Sequence, residues 1–325
     1  MEAFTLTAPT DLDSALATAG SGNAKFIAGG TDLMQLMKDF VERPQQLVDI
    51  QNLPLDRIEF GDNGARIGAL VRMGDGADHP ELRRRYPLIA EALLASASPQ
   101  VRNMATFGGN LLQRTRCGYF RDVGSPCNKR EPGTGCPAIA GDHRRLAILG
   151  GSDKCIATHP SDLAVALTAL DAAVELRSAG GTRAVPITEF YRLPGDTPQS
   201  ETAIASGELI TAILLPPANE GERSHYLKVR DRAEFEFALV SAAVTITPDG
   251  DDRIRSARIA VGGVGTKPWR LPQVEAALAG APASEEAIIA ATAKAADGAH
   301  PLPENAFKVR LMQRALTRAL LTALA

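Results

Sequence analysis

All four cysteines of this chain, Cys117, Cys127, Cys136 and Cys155, fall inside one short stretch of its 325 residues. That stretch, RTRCGYFRDVGSPCNKREPGTGCPAIAGDHRRLAILGGSDKC, is rich in Gly, Pro and Arg and has little hydrophobic period. Thiols used as ordinary core residues would be scattered, so the clustering points to a site that takes several sulfurs at once. The gaps are nine, eight and eighteen residues. Structural zinc usually draws on close pairs two to four residues apart, and no such pair is present. A cuboidal 4Fe–4S cluster takes one thiolate per iron and tolerates wide spacing. Pro126 and Pro137 stiffen the backbone beside Cys127 and Cys136 and keep it out of helix. An aperiodic segment from about 112 to 156 is unusual in a compact domain unless something organises it, and metal-binding energy can do so. From the cysteines alone, a 4Fe–4S cluster, zinc, two disulfides and four free thiols all remain open.

A chain of this length is expected to form two domains with a sizeable core. Hydrophobic residues make up 45% and charged residues 22%, an ordinary globular balance. A net charge of −3 gives no support for nucleic-acid binding. No run of 18 apolar residues is present to span a membrane. The opening MEAFTLTAPTDLDS has neither a basic nor an apolar leader region, so the chain by itself reads as cytoplasmic. Export would then depend on a partner that carries a signal.

The pattern predicts an α/β first half and an α+β second half. Residues 11–20 read as a short helix and Phe26–Ala28 as a strand ending at Gly29-Gly30. Thr31 or Asp32 is placed to cap the next helix, DLMQLMKDF. QLVDI reads as a strand, and RIEFGDNGARIGAL as a hairpin turning at DNG. Pro80 opens a helix expected to bury Leu82, Ile89, Leu93 and Leu94. FGGNLL leads into the cysteine segment. Beyond it, Ser161 caps the helix SDLAVALTAL, a hairpin turns at Gly180-Gly181, and LITAILLP is a strand. Pro216-Pro217 with ANEGER marks a linker, dividing the chain into residues 1–218 and 222–325. The second part reads as strands HYLKVRD, ALVSAAVTIT and IRSARIAVGGV, the last two joined by PDGDD. Helices PQVEAALA, SEEAIIAATAKAA and a long one after Pro303 follow. This is a small antiparallel sheet covered by helices.

Two glycine pairs carry further chemistry: Ile27-Ala28-Gly29-Gly30-Thr31-Asp32-Leu33 and Thr106-Phe107-Gly108-Gly109-Asn110-Leu111. Glycine lets backbone N–H groups approach an anion and point at it together. A helix beginning at Asp32 adds its positive end. Two such nests suit the two phosphates of one dinucleotide, with Thr31, Thr106 and Asn110 supplying side-chain hydrogen bonds. A lone Gly-Gly turn is most often only a turn. No complete G-x-G-x-x-G and no Walker loop occurs.

KFIAGGTDL, TFGGNL, THPSDLAVAL and YLKVR together resemble the FAD-binding medium subunit of the molybdenum hydroxylases, the family of xanthine dehydrogenase and carbon monoxide dehydrogenase. The resemblance runs from about residue 3 to about 320. A minority of that family, the aldehyde oxidoreductase type, carries an extra 4Fe–4S cluster in this subunit, and this chain looks closest to it. The resemblance implies a two-part FAD-binding domain of the vanillyl-alcohol-oxidase (PCMH) type, mixing α/β and α+β structure, followed by a small C-terminal α+β domain. It implies FAD held by Phe26, Ile27, Ala28, Gly29, Gly30, Thr31, Asp32 and Leu33 in a first loop. Thr106, Gly108, Gly109 and Asn110 form the second loop. Gly118 would bring backbone close to the flavin, and Asp162 would accept hydrogen bonds from its hydroxyls. Leu209 or Ile210 would pack on the ring, with Lys228 beside it as a cation. On the same resemblance, Cys117, Cys127, Cys136 and Cys155 hold the cluster.

Each of these residues also has a plainer use. Asp162 suits the first turn of a helix, Lys228 a solvated strand, and Leu209 and Ile210 a core. Where many relatives have Asp after YLKVR, this chain has Glu234 and Glu236, leaving open which acid faces the ring. His159 reads as a loop residue and His143 as solvent-facing. Arg114, Arg116, Arg121, Lys129, Arg130, Arg144 and Arg145 make the cysteine segment basic. The implied role is an electron-transfer oxidoreductase subunit. Substrate would be oxidised at molybdenum on a large partner, and electrons would pass through 2Fe–2S centres on a small partner to this chain's FAD and then to an external acceptor. The implied compartment is the periplasm, by co-export, with the cytoplasm as the alternative. A stand-alone flavin oxidase and a zinc-stapled interaction module are the rival readings.

Overall fold

A computed structural model of the chain describes residues 1–20, 23–250 and 252–325. Three sheets organise it. The first is parallel, in the order β1-β3-β2, from β1 (Thr5–Thr7), β2 (Ala24–Ile27) and β3 (Gln46–Asp49). The second is a five-stranded antiparallel sheet, β4-β5-β8-β6-β7, built from β4 (Ile58–Gly61), β5 (Gly64–Gly68), β6 (Ala173–Ser178), β7 (Gly181–Pro186) and β8 (Leu209–Leu215). The third is antiparallel, β12-β11-β10-β9, from β9 (Arg223–Val229), β10 (Val240–Pro248), β11 (Ile254–Gly262) and β12 (Trp269–Arg270). The expected mixed first half and antiparallel second half are therefore both present. The turn between β10 and β11 lies partly outside the described residues.

The helix Asp162–Ala169 joins the two halves. Ser161 Oγ accepts from Ala164 N (2.9 Å), satisfying one of the amides that a helix start leaves open, and every residue of the helix is buried. One side packs on the helix Pro87–Ala95 and the other on β10 and β11. On the opposite face of the third sheet, the helices Pro272–Leu278, Glu285–Ala293 and Phe307–Leu324 close a separate apolar core with Val244, Ile259, Leu316 and Leu320 at its centre. Lys308 is fully buried there, its Nζ donating to Arg145 O (2.8 Å), Leu146 O (3.1 Å) and Gly263 O (2.8 Å).

Two local expectations need correction. The helix opened by Pro80 is two helices, Pro80–Arg85 and Pro87–Ala95. Pro87 has no N–H to continue the first and forces Tyr86 out of helical conformation (φ −136°, ψ 60°). Leu82, Ile89 and Leu93 are buried as expected, but the break turns Leu94 outward, 46% exposed. His143 is buried rather than solvent-facing: its backbone N–H donates to Glu304 Oε2 and its Nε2 accepts from Glu304 N.

Candidate functional site

A cavity of about 840 Å³ opens where the first two sheets meet the third, a size suited to a large organic cofactor. Phe26, Ile27, Ala28, Gly29, Gly30, Thr31, Asp32 and Leu33 line it, as do Thr106, Gly108, Gly109, Asn110, Asp162, Leu209, Ile210 and Lys228. Gly118 is the one expected contact that does not; it opens the short helix Gly118–Arg121, away from the lining.

The two glycine loops pack directly on each other. A Cβ at Gly29 would lie 1.8 Å from Met104 O, so only glycine permits that approach. Gly30 sits at φ +67°, in the left-handed region. Among the described residues, no protein acceptor takes the backbone N–H of Gly29, Gly30, Thr31 or Asp32. Four successive amides thus remain free for an acidic ligand. The second pair behaves differently. It lies inside the short helix Phe107–Leu111, where Gly108 N donates to Ala69 O (2.9 Å) and Gly109 N to the capping Thr106 Oγ1 (3.2 Å). Its amides are already spent, so the expectation of two equivalent nests is corrected to one free nest braced by a capped turn. Asn110 is committed as well, accepting from Ser161 Oγ and donating to Met73 S.

Asp32 stands at the N-terminus of the helix Leu33–Lys38 but makes no side-chain cap. Its carboxylate accepts instead from Arg114 N (2.8 Å) and pairs with Arg116 and Arg121 (2.8 Å each). Arg114 in turn pairs with Glu42 and Glu201 and lies 4.6 Å over the Phe120 ring, and Lys129 Nζ also meets Glu201 (2.8 Å). Arg114, Arg116, Arg121 and Lys129 therefore fasten the cysteine segment to the cavity wall, whereas Arg144 and Arg145 are about half exposed and pair with Asp231. Glu42 and Glu201 belong to no motif. The only sequence hint of them is that so many buried cations require acids nearby.

Asp162 and Lys228 meet each other. Lys228 Nζ donates to Asp162 Oδ2 (2.7 Å) and Ala95 O (3.0 Å), and both side chains are nearly inaccessible. Tyr226 Oη donates to Asp162 Oδ1 (2.7 Å) and Ser96 Oγ to Oδ2 (3.0 Å). Burial, with the carboxylate beside it, holds the Tyr226 phenol well above its ordinary pKa. The lysine thus carries a counter-charge and is not a free cation beside the cavity. Of the two glutamates after YLKVR, Glu236 lines the cavity and pairs with Arg145 (3.1 Å), while Glu234 does not line it.

All four thiols are free, and Cys117, Cys127, Cys136 and Cys155 line a second, much smaller cavity of about 10 Å³. No disulfide forms. Burial pushes the Cys117 thiol up to about 11 and raises Cys136 and Cys155. Among the described residues, no group of three or more His, Cys, Asp or Glu is arranged to hold a metal ion. The metal expected here therefore has no ready-made single-ion site. Lys129, Cys155 and Ala157 line both cavities, so they form the wall between them.

Comparison with known proteins now bears on the fold and the cavity together. Residues 2–218 match the FAD binding domain in molybdopterin dehydrogenase, and residues 225–323 the CO dehydrogenase flavoprotein C-terminal domain. The chain belongs to the FAD-binding medium-subunit family of the molybdenum hydroxylases. It is 50% identical to the aldehyde oxidoreductase FAD-binding subunit PaoB of Escherichia coli over 99% of both chains. It is 30% identical to the glyceraldehyde dehydrogenase medium chain of Sulfolobus acidocaldarius, over 79% of this chain and 73% of that one. Among solved structures, carbon monoxide dehydrogenase from Hydrogenophaga pseudoflava superimposes with a TM-score of 0.78 at 26% identity, covering 99% of this chain and 98% of that one. This medium subunit is thus an oxidoreductase component with the two-part FAD-binding fold and C-terminal domain expected of its class. Its cavity fits FAD on its own geometry: the free amides suit phosphate and the buried Leu209 and Ile210 suit an aromatic ring.

Proposed function

We propose that this subunit belongs to a molybdenum-dependent aldehyde oxidoreductase and carries electrons between partner subunits and an external acceptor. The carrying observation is a large cavity lined by four successive backbone amides of the first glycine loop that, among the described residues, meet no protein acceptor, in a chain half identical to an aldehyde oxidoreductase FAD-binding subunit. Bound FAD supplies the ability to exchange electrons singly or in pairs. The residues of this chain do the rest. Gly29, Gly30, Thr31 and Asp32 hold the phosphates through backbone N–H groups. Thr106 and its capped turn brace that loop. Leu209 and Ile210 keep water from the ring. Asp162 would accept from a ligand hydroxyl on the main-cavity side, and Lys228 holds its carboxylate in place.

We further propose a 4Fe–4S cluster on Cys117, Cys127, Cys136 and Cys155. One feature supports it: the four thiols line one small cavity. A cluster takes one iron per thiolate and tolerates wide ligand spacing in sequence. Cys155 in the wall shared with the main cavity would set the cluster beside the flavin. The proposed domain division is 1–218 and 222–325. The proposed partners are a large molybdenum subunit that oxidises an aldehyde and a small 2Fe–2S subunit. The proposed compartment is the periplasm, reached with a signal-bearing partner; cell fractionation in which the assembled complex stays cytoplasmic would overturn that part.

The deciding experiment is an anaerobic visible spectrum of the purified chain with flavin, iron and sulfide analysis. About one FAD and four irons per chain are expected. FAD without iron would remove the cluster and leave the flavin reading standing. Folded protein that takes up neither would overturn the electron-transfer reading.

A further inference from the structure

Behind the floor of the main cavity lies a small chamber of about 30 Å³. Three buried side-chain atoms without a hydrogen-bond partner belong to residues that line it: Arg116 Nε, His159 Nε2 and Ser241 Oγ. Arg116 and His159 also line the main cavity, whereas Ser241 comes from β10 in the C-terminal sheet. The chamber therefore sits at the seam of the two halves.

Its donor and acceptor balance identifies what it takes. Arg116 Nε–H can only donate, and the same guanidinium is already tied to Asp32 through Nη1. The His159 ring is held edge-on against Tyr191, with centroids 4.3 Å apart. Its Nδ1 accepts from Ser161 N (3.4 Å), so in the neutral ring the proton is on Nε2. Burial keeps that ring neutral, its pKa lowered to about 3. Two donors without a protein acceptor thus belong to residues lining one chamber. Ser241 Oγ has no partner at hydrogen-bond geometry, though it lies near enough to the Tyr226 phenol to favour its ionised form. The hydroxyl can turn either way. Asp162 lines the chamber too, and its carboxylate repels an anion while accepting from any O–H placed there. A cation is excluded by Arg116. The chamber exceeds the roughly 10–15 Å³ that one water needs, and three or four polar partners are what a buried water uses.

We infer that this chamber is a built site for an ordered water that accepts from Arg116 Nε and His159 Nε2 and is shared with Ser241 and Asp162. The water ties the C-terminal sheet to the floor of the main cavity.

A crystal structure of the full chain, grown once in chloride and once in bromide, tests this. The expected result is a single non-anomalous peak within hydrogen-bond distance of Arg116 Nε and His159 Nε2 in both crystals. An empty chamber, in a map where other buried waters are resolved, overturns the inference. So does an anomalous bromide peak, which would make the site an anion site. Nitrogen-15 NMR of the wild-type chain gives a second reading: the proton of His159 is expected on Nε2, and a proton on Nδ1 overturns the inference without any variant having to fold. Ser241→Val, which puts a methyl where the water sits, is expected to remove the peak.

Discussion

The buried pair Lys228–Asp162 supports the sharpest prediction. Both groups are almost wholly inaccessible, at 3% and 6%, and 2.7 Å apart. At an effective dielectric of about 20, attraction at that distance is roughly 6 kcal/mol, part of which offsets the desolvation of both charges. Asp162→Asn keeps the shape but leaves the Lys228 ammonium with only Ala95 O and an amide for company. Loss of one partner from such a pair typically costs about 3–5 kcal/mol. Lys228→Met is expected to cost less, because Asp162 retains the Tyr226 and Ser96 hydroxyls as donors. The double variant removes both buried charges and is expected to recover at least half of the Asp162→Asn loss. Urea unfolding of the flavin-free chain measures this. Trp269, the chain's single tryptophan, reports from the sheet against which the Asp162 helix packs. The reasoning is refuted if Asp162→Asn stays within about 1 kcal/mol of wild type. A coupling energy below about 1 kcal/mol in the cycle would refute it equally.

Gly29→Ala drives a methyl into the Met104 carbonyl and should abolish FAD retention on a desalting column, whereas Gly109→Ala meets only Thr106 Oγ1 at 3.0 Å and should retain flavin at lower affinity. His159 resists protonation in the folded chain while the unfolded chain takes the proton near pH 6.5, so the unfolded state binds more protons between about pH 6.5 and 3 and stability falls as pH drops through that window. His159→Phe should flatten this acid limb, by up to about 1.4 kcal/mol per pH unit, in urea titrations from pH 6.5 down to pH 4. Lys308→Met leaves the Arg145 and Gly263 carbonyls without this donor, while Leu146 O keeps Asn305, and is expected to cost about 2–3 kcal/mol, read as a lowered urea midpoint. Leu94→Gln, on an exposed position, should leave that midpoint within about 0.5 kcal/mol of wild type.

Local signals carried most of the fold. Ser161 before an apolar run is a cap because its hydroxyl reaches Ala164 N, and nothing distant enters that contact. The hairpins at Asp62-Asn63-Gly64 and Gly180-Gly181 are equally local. The break after Pro80–Arg85 is local too, because Pro87 excludes helical conformation at Tyr86. The site is different. Lys228 and Asp162 are 66 residues apart, and their pairing depends on how the third sheet docks on a helix of the first half. The inequality of the glycine pairs was hidden for the same reason. Whether the Gly108 amide is free depends on the carbonyl of Ala69, which lies just past β5.

The cysteine segment shows how a long aperiodic stretch can be ordered without a helix or strand of any length. Only Gly118–Arg121 and Pro137–Ile139 are helical between Leu112 and Ile156. At its start, Asp32 takes Arg114 N, Arg116 and Arg121, while Glu42 and Glu201 hold the Arg114 guanidinium. At its end, Lys308 and Asn305 close on the carbonyls of residues 145–147, and His143 exchanges hydrogen bonds with Glu304. The start is thus fixed to the free-amide loop and the end to the last helix, by contacts that involve no thiol. Cys127 and Cys136 lie between these anchors, and all four thiols share a small apolar cluster with Phe120 and Ile156. The segment is therefore held at both ends without the thiols. The glycine loop that offers phosphate-binding amides and the segment that offers four sulfurs share one carboxylate, Asp32, so a displacement of either is felt by the other through a single charged contact.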